Sequence, residues 1–142
     1  METLNWELFN ITDLFEIKSG NRITQEDRGE PLFPYVGSSS INNGITDMCY
    51  TWNFENIISI NSNGSVGYAF WHPYKIMLSG DCRALVPKFE ITNNIGVFIS
   101  TVLTKSYINN YNYGKKLTTT RLQQESIYLP AKGNDPDWEY ID

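Results

Sequence analysis

The sequence predicts an α+β fold: a β-rich single domain with a twisted mixed sheet and one principal helix. Three observations predict it. Short runs of β-branched and aromatic residues such as IISI and AFWH recur along the chain, separated by clusters of Gly, Asn, Ser and Pro. The clearest helical pattern, from Thr92 to Leu103, spaces its apolar residues at three and four. The 142 residues, 41% hydrophobic and 14% aromatic, match one domain with one core.

The first strand expected is Leu14 to Lys18, an apolar and charged alternation stopped by Ser19-Gly20. A second covers Leu32 to Val36, with a turn over Gly37 to Ser40. Asn42-Asn43-Gly44 reads as a further turn, because Asn and Gly tolerate positive φ. ENIISINSNGSVGYAFWH reads as a hairpin in which Ile57 to Ile60 and Val66 to His72 flank the turn Asn61 to Gly64. Arg83 to Val86 is a strand ended by Pro87. The helix, capped by Thr92 or Asn93, places Ile95, Phe98, Ile99, Val102 and Leu103 on one face and stops before Asn109-Asn110. A basic loop, a short helical turn near Leu122 to Glu125 and a last strand, Ser126 to Leu129 before Pro130, complete the chain.

Charge is unevenly distributed. The formal net charge is −5, yet residues 1 to 16 and 133 to 142 hold acids and no bases. Between them, eleven Lys and Arg face eight acids, a formal charge of +3. From Thr104 to Gln124 the chain carries Lys105, Lys115, Lys116 and Arg121 with no carboxylate, interleaved with Tyr107, Tyr111 and Tyr113. Such a cluster creates a local positive field that the total conceals.

Four polar loops are the candidate site: Lys18 to Arg22, Gly37 to Gly44, Asn61 to Gly67 and Tyr113 to Arg121. Asn can bond adenine twice, Arg and Lys suit guanine, and Ser and Thr suit phosphate oxygens. Arg22, Lys115, Lys116 and Arg121 are expected to hold the DNA backbone. Asn and Ser side chains of the two middle loops would read bases.

Catalysis and cofactors find little support. His72 is the only histidine and lies in an aromatic run beside Pro73, where a packing or hydrogen-bonding role outweighs that of a base serving Cys82 or a serine. Glu16 and Lys18 share one strand face, but no carboxylate on an adjoining strand completes a metal-dependent nuclease site. Cys49 and Cys82 have neither the spacing nor the company for zinc or a disulfide framework. Dinucleotide, phosphate-loop and methyl-donor motifs are missing, so no cofactor and no metal are expected. METLNWELFN is no signal peptide, and no run approaches the roughly 18 apolar residues of a membrane span, so a cytoplasmic location is expected.

The ordered segments LFEIKSG, PYVGSSSINNGI, NGSVGYAFWHPY, YNYGKKLTTTRLQQESIYLP and GNDPDWEYI closely resemble a target recognition domain of the specificity (S) subunit of type I restriction-modification enzymes. The chain is also similar to the related recognition subunits of BcgI-like systems. The resemblance covers residues 6 to 141 and implies a DNA-reading module without catalysis of its own. It implies double-stranded DNA as partner, read by half-sites in the major groove, together with methyltransferase (M) and restriction (R) subunits. The family pattern implies DNA contacts at Lys18, Asn21 and Arg22; at Ser38, Ser39, Ser40, Asn42 and Asn43; at Asn61, Asn63 and Ser65; and at Tyr113, Lys115, Lys116, Thr118, Thr119 and Arg121. Residues 1–142 are expected to form one such domain, ending where the family's spacer helix would begin. The alternative is an interaction or decoy module with this fold that binds restriction-modification subunits without reading DNA.

Overall fold

The structure, a computed structural model, describes residues 5–22 and 28–142; Glu2 of the acidic start lies outside them. In chain order the elements are β1 (Trp6–Asn10), α1 (Ile11–Leu14), β2 (Phe15–Ser19), β3 (Arg28–Val36), β4 (Ile45–Cys49), β5 (Ile57–Asn61), β6 (Ala69–His72), β7 (Met77–Leu78), β8 (Cys82–Pro87), α2 (Asn93–Tyr107), α3 (Thr119–Leu122), β9 (Ser126–Lys132), β10 (Asp135–Pro136) and α4 (Trp138–Ile141). The class is the expected α+β with one principal helix. Its strands are divided among three small sheets, ordered β2-β8-β5-β6, β4-β3-β7 and β1-β9-β10. The mixed character comes from one parallel pair, β3 with β7.

The apolar run IISIN explains the centre of the fold. All five residues of β5 are buried, because the strand is covered on both faces. Ile58 and Ile60 join Ile95, Ile99 and Leu103 of α2 in the main core. Ile57 packs on the other side with Val36, Ile76, Leu78, Cys82 and Ala84. Burying each such aliphatic side chain contributes about 1.5–3 kcal/mol, so β5 is the strand the fold can least lose.

Helix α2 follows from its sequence. Thr92 caps it, its Oγ1 accepting from Ile95 N at 3.2 Å. Ile95, Ile99, Leu103 and Tyr107 recur at every fourth position and are all buried. Gly96 lets the helix lie against the Trp71 ring; a Cβ there would stand 2.6 Å from Trp71 Cγ. Trp71 Nε1 in turn donates to Asn93 Oδ1 at 3.0 Å, fixing the helix start over β6.

Strand β6 is an edge, and two side chains from other elements occupy its outward backbone groups. Ala69 N donates to Thr104 Oγ1 at 2.9 Å, and the Thr104 hydroxyl donates back to Ala69 O at 3.4 Å. Asn43 Nδ2 donates to Trp71 O at 3.1 Å.

Several boundaries differ from the sequence expectation for local reasons. Val66 lies outside β6, because Gly67 N donates back to Asn61 O and Asn61 N to Tyr68 O, closing the loop before the strand starts. α3 begins at Thr119 rather than near Leu122, because Thr118 caps it by accepting from Arg121 N. β9 continues through Pro130, whose carbonyl accepts from Asp137 N at 2.7 Å where the chain leaves the sheet for α4.

Candidate nucleic-acid interface

The four polar loops are joined by hydrogen bonds into one continuous cluster, and the turn Ser79-Gly80-Asp81 between β7 and β8 lies within it. The first loop enters at Gly20, whose N donates to Cys82 O at 3.2 Å, and at Asn21, whose N donates to Leu78 O at 2.9 Å. Gly20 passes so close to this turn that a Cβ would overlap the Ser79 carbonyl. In the third loop, Ser62 N and Asn63 N donate to Asp81 O at 3.0 and 3.2 Å. The second and third loops meet where Ser38 Oγ donates to Asn63 O. The fourth reaches the third through Leu117 N, which donates to Ser62 O at 3.1 Å.

Asn61, at the end of β5, is the buried centre of this arrangement. It is 0% exposed, and its Nδ2 donates at 2.9 Å both to Ser39 O in the second loop and to Ser65 O in the third. Its Oδ1 accepts from Cys82 Sγ at 3.4 Å. Asn43 is similarly committed. Asn42, Asn43 and Gly44 take positive φ of 54, 56 and 78°, which turns the Asn43 amide inward. There it donates to Trp71 O and, at 2.8 Å, to the Tyr74 hydroxyl.

Both amides, expected to face a ligand, here brace loops instead, donating to carbonyls and a hydroxyl of neighbouring segments that need donors. Ser38 is bonded to Asn63 O, Ser39 Oγ stays within its own loop against Ile41, and Ser65 contributes its carbonyl to Asn61. Asn63 makes a long 3.4 Å contact to Asp81 Oδ1. Thr118 caps α3, and Thr119 Oγ1 accepts from Arg83 Nε at 2.8 Å.

The side chains that reach solvent are Lys18, Asn21, Arg22, Ser40, Asn42, Tyr113, Lys115, Lys116 and Arg121. Lys18 is paired with Glu16 at 3.3 Å on the same face of β2, which weakens its field. Among the described residues, Arg22, Lys115, Lys116 and Arg121 have no carboxylate within ion-pair distance. The fourth loop carries its cations on a tight two-residue turn, Tyr113-Gly114, held by paired backbone bonds between Asn112 and Lys115 at 3.1 and 2.9 Å. The Asn112 side chain pins the same turn by accepting from Gly114 N and Lys115 N. Lys115 lies over the Tyr111 ring at 5.0 Å and Lys116 over Tyr113 at 5.9 Å, contacts that keep both ammonium groups beside the loop. Arg121 Nη1 donates to Lys116 O at 2.5 Å.

Two residues of the cluster lie outside the sequence expectation. Arg83 at the start of β8 holds three elements together: Nε to Thr119, and Nη1 to Gly80 O at 3.0 Å and Cys82 O at 3.1 Å. Its position at the head of the apolar strand CRALV was the available signal. Asp81 supplies a carboxylate among the cations, and the strand pattern does not reveal it.

His72 takes the structural role expected of it. It is fully buried, with Nε2 2.9 Å from Ser59 Oγ and Nδ1 3.3 Å from the Tyr74 hydroxyl. Burial pushes its pKa down to about 4, so the ring is neutral at pH 7. Burial likewise pushes the Cys82 thiol up to about 12, which removes the thiolate a nucleophile needs. No group of three or more metal-ligating side chains occurs among the described residues, and no described helix is long and apolar enough to cross a membrane.

Tight polar loops on a small three-sheet scaffold, with exposed cations along them, make up the candidate site. The chain belongs to the family described as Type I restriction modification DNA specificity domain, which it matches over residues 3–141. It is 33% identical over 147 residues to the Type II restriction enzyme BgcI specificity subunit S.BcgI of Heyndrickxia coagulans, covering 100% of this chain and 43% of that protein. Its fold is similar to the crystal structure of the Type-I restriction-modification system S subunit from M. genitalium, with a TM-score of 0.77 and 17% identity over 94% of this chain and 37% of the other. It is also similar to the HsdS subunit from Thermoanaerobacter tengcongensis, with a TM-score of 0.61 and 14% identity over 88% of this chain and 33% of the other. The chain thus spans less than half the length of these relatives.

Proposed function

We propose that this domain reads one half-site of double-stranded DNA and directs a restriction-modification methyltransferase and endonuclease complex to it, without catalysis of its own. The supporting observation is the hydrogen-bonded loop cluster bearing Arg22, Lys115, Lys116 and Arg121, which have no carboxylate partner among the described residues. Cations held in place by a rigid frame can neutralise phosphates without first ordering a loop, so less of the binding energy is spent on entropy. Asn21, Ser40, Asn42 and Tyr113 are the exposed groups able to reach base edges.

The test is a fluorescence-anisotropy titration with duplex DNA over a range of salt. Each phosphate contact contributes about 0.9 to the slope of log affinity against log salt, so changing both Lys115 and Lys116 to alanine should lower that slope by up to about 2. Unchanged affinity and slope in the double variant would remove the fourth loop from the interface.

The second reading is an interaction module that binds methyltransferase or restriction subunits without reading DNA. It is favoured by exposed apolar side chains on elements that carry none of the four loops: Trp6 and Leu8 of β1, Tyr128 of β9 and Val97 of α2. Co-purification with a methyltransferase by a chain that shows no salt-dependent DNA binding would decide for it.

A further inference from the structure

The chain contains two Asn-Gly dipeptides, Asn43-Gly44 and Asn63-Gly64, and both lie in the loop cluster. An asparagine before glycine is open to attack by the next backbone nitrogen on its own side-chain amide carbon, since no Cβ stands in the way. What separates the two is how the attacking nitrogen and the leaving amino group are held.

At Asn43 both are withdrawn. Nδ2 donates to Trp71 O at 3.1 Å and to the Tyr74 hydroxyl at 2.8 Å, with His72 Nδ1 3.4 Å away. Gly44 is buried, and its N donates to Ile41 O at 2.9 Å. Reaction there requires the second loop to open. At Asn63 the arrangement is reversed. Gly64 is exposed, and its N–H donates at 3.0 Å to Asn63 Oδ1, so the nitrogen is held by the side chain it would attack rather than by a carbonyl of the surrounding loop. Among the described residues, the leaving Nδ2 is held by the 3.4 Å contact to Asp81 Oδ1 alone.

We propose that Asn63 is a site of spontaneous covalent modification, deamidation through a cyclic imide, and that Asn43 is protected from it by the hydrogen bonds of its amide and the burial of Gly44. Hydroxide removes the proton from Gly64 N. The nitrogen bonds to Asn63 Cγ, the Cγ–Nδ2 bond breaks, and Nδ2 takes a proton from water and departs as ammonia. Water then opens the five-membered imide. Opening at Cγ leaves aspartate, and opening at the main-chain carbonyl leaves isoaspartate, with the backbone rerouted through the side chain. The overall change is amide plus water to carboxylate plus ammonium, with no redox partner.

The product sets a second carboxylate beside Asp81 within the loop cluster, and isoaspartate additionally displaces the carbonyl that accepts from Ser38 Oγ. Loss of DNA binding on modification is the part that rests on the proposed DNA-reading role.

The experiment has two arms. The folded chain is held at mildly alkaline pH and 37 °C, and peptide mass mapping follows amide-to-acid conversion at both asparagines. Conversion at Asn63 should run roughly tenfold or more ahead of Asn43 while the chain is folded, and the difference should vanish in urea, because Asn43 reacts only through local opening. Equal rates in the folded chain, or a faster Asn43, overturn the proposal. In the second arm, Asn63→Asp should bind duplex DNA several-fold more weakly than the parent chain. If the mass arm succeeds while this variant binds as tightly as the parent, the modification site stands and the DNA consequence fails.

Discussion

Replacing Asn61 by alanine tests the idea that one buried amide holds the loop cluster together. The substitution removes both donations at 2.9 Å, to Ser39 O and Ser65 O, and the acceptor for Cys82 Sγ, at a site with 0% exposure. A buried polar group left without a partner costs about 1–3 kcal/mol. Two carbonyls lose their donor, and water can reach the half-exposed serines in part, so the expected loss is about 2–4 kcal/mol. For a domain of this size that lowers the melting temperature by roughly 6–15 °C. The assay is urea and thermal denaturation of Asn61→Ala beside Asn21→Ala, whose exposed side chain makes no hydrogen bond among the described residues and should change stability by less than about 0.5 kcal/mol. If the domain reads DNA as proposed, Asn61→Ala should below its melting temperature retain salt-dependent binding but discriminate less well between sequences, because the cations stay while the second and third loops uncouple. If Asn61→Ala is no less stable than the Asn21→Ala control, the keystone argument is wrong.

Three further outcomes are expected. Gly96→Ala gains about 1 kcal/mol of helix propensity, but its Cβ meets the Trp71 ring, and overpacking costs about 1–3 kcal/mol or more, so a lower melting temperature and altered tryptophan fluorescence should be seen. His72 binds its proton more weakly folded, near pKa 4, than unfolded, near 6.5. The stability it contributes is therefore present above pH 6.5 and lost as pH falls toward 4, by about 3 kcal/mol in total. Urea midpoints of the parent should consequently fall more steeply across that window than those of His72→Gln. Cys82, buried and with its thiol pushed up to about 12, should resist thiol reagents at pH 8 until urea unfolds the chain; rapid labelling of the native protein would contradict its placement.

The fold was legible wherever a signal was local. Helix α2 announced itself through the Thr92 cap and the spacing of Ile95, Ile99 and Leu103, and the β5–β6 hairpin through its dense β-branched and aromatic content. β1 was missed because the adjacent apolar pair Leu8-Phe9 breaks the alternation of WELFN, which becomes a strand only by pairing with β9 from the far end of the chain, Trp6 opposite Pro130. β7 has two residues and α1 and α4 four each, too few for any period to show. The candidate loops were visible because Gly, Asn, Ser and Lys cluster in sequence as they do in space. Which amides turn inward was not visible: that Asn61 braces while Asn42 is exposed depends on where neighbouring carbonyls fall, and those come from other loops.

The side chains of Thr104 and Asn43 also govern how the protein behaves among copies of itself. A bare edge strand is a template on which another chain can lengthen the sheet. Here Thr104 occupies both backbone groups of Ala69 and Asn43 occupies the Trp71 carbonyl, so an incoming strand would have to displace partners already in place before gaining a rung. One helix residue and one loop residue thus act as a stopper against sheet growth from one molecule to the next, which lets the central sheet end in an apolar Ala-Phe-Trp strand without inviting aggregation.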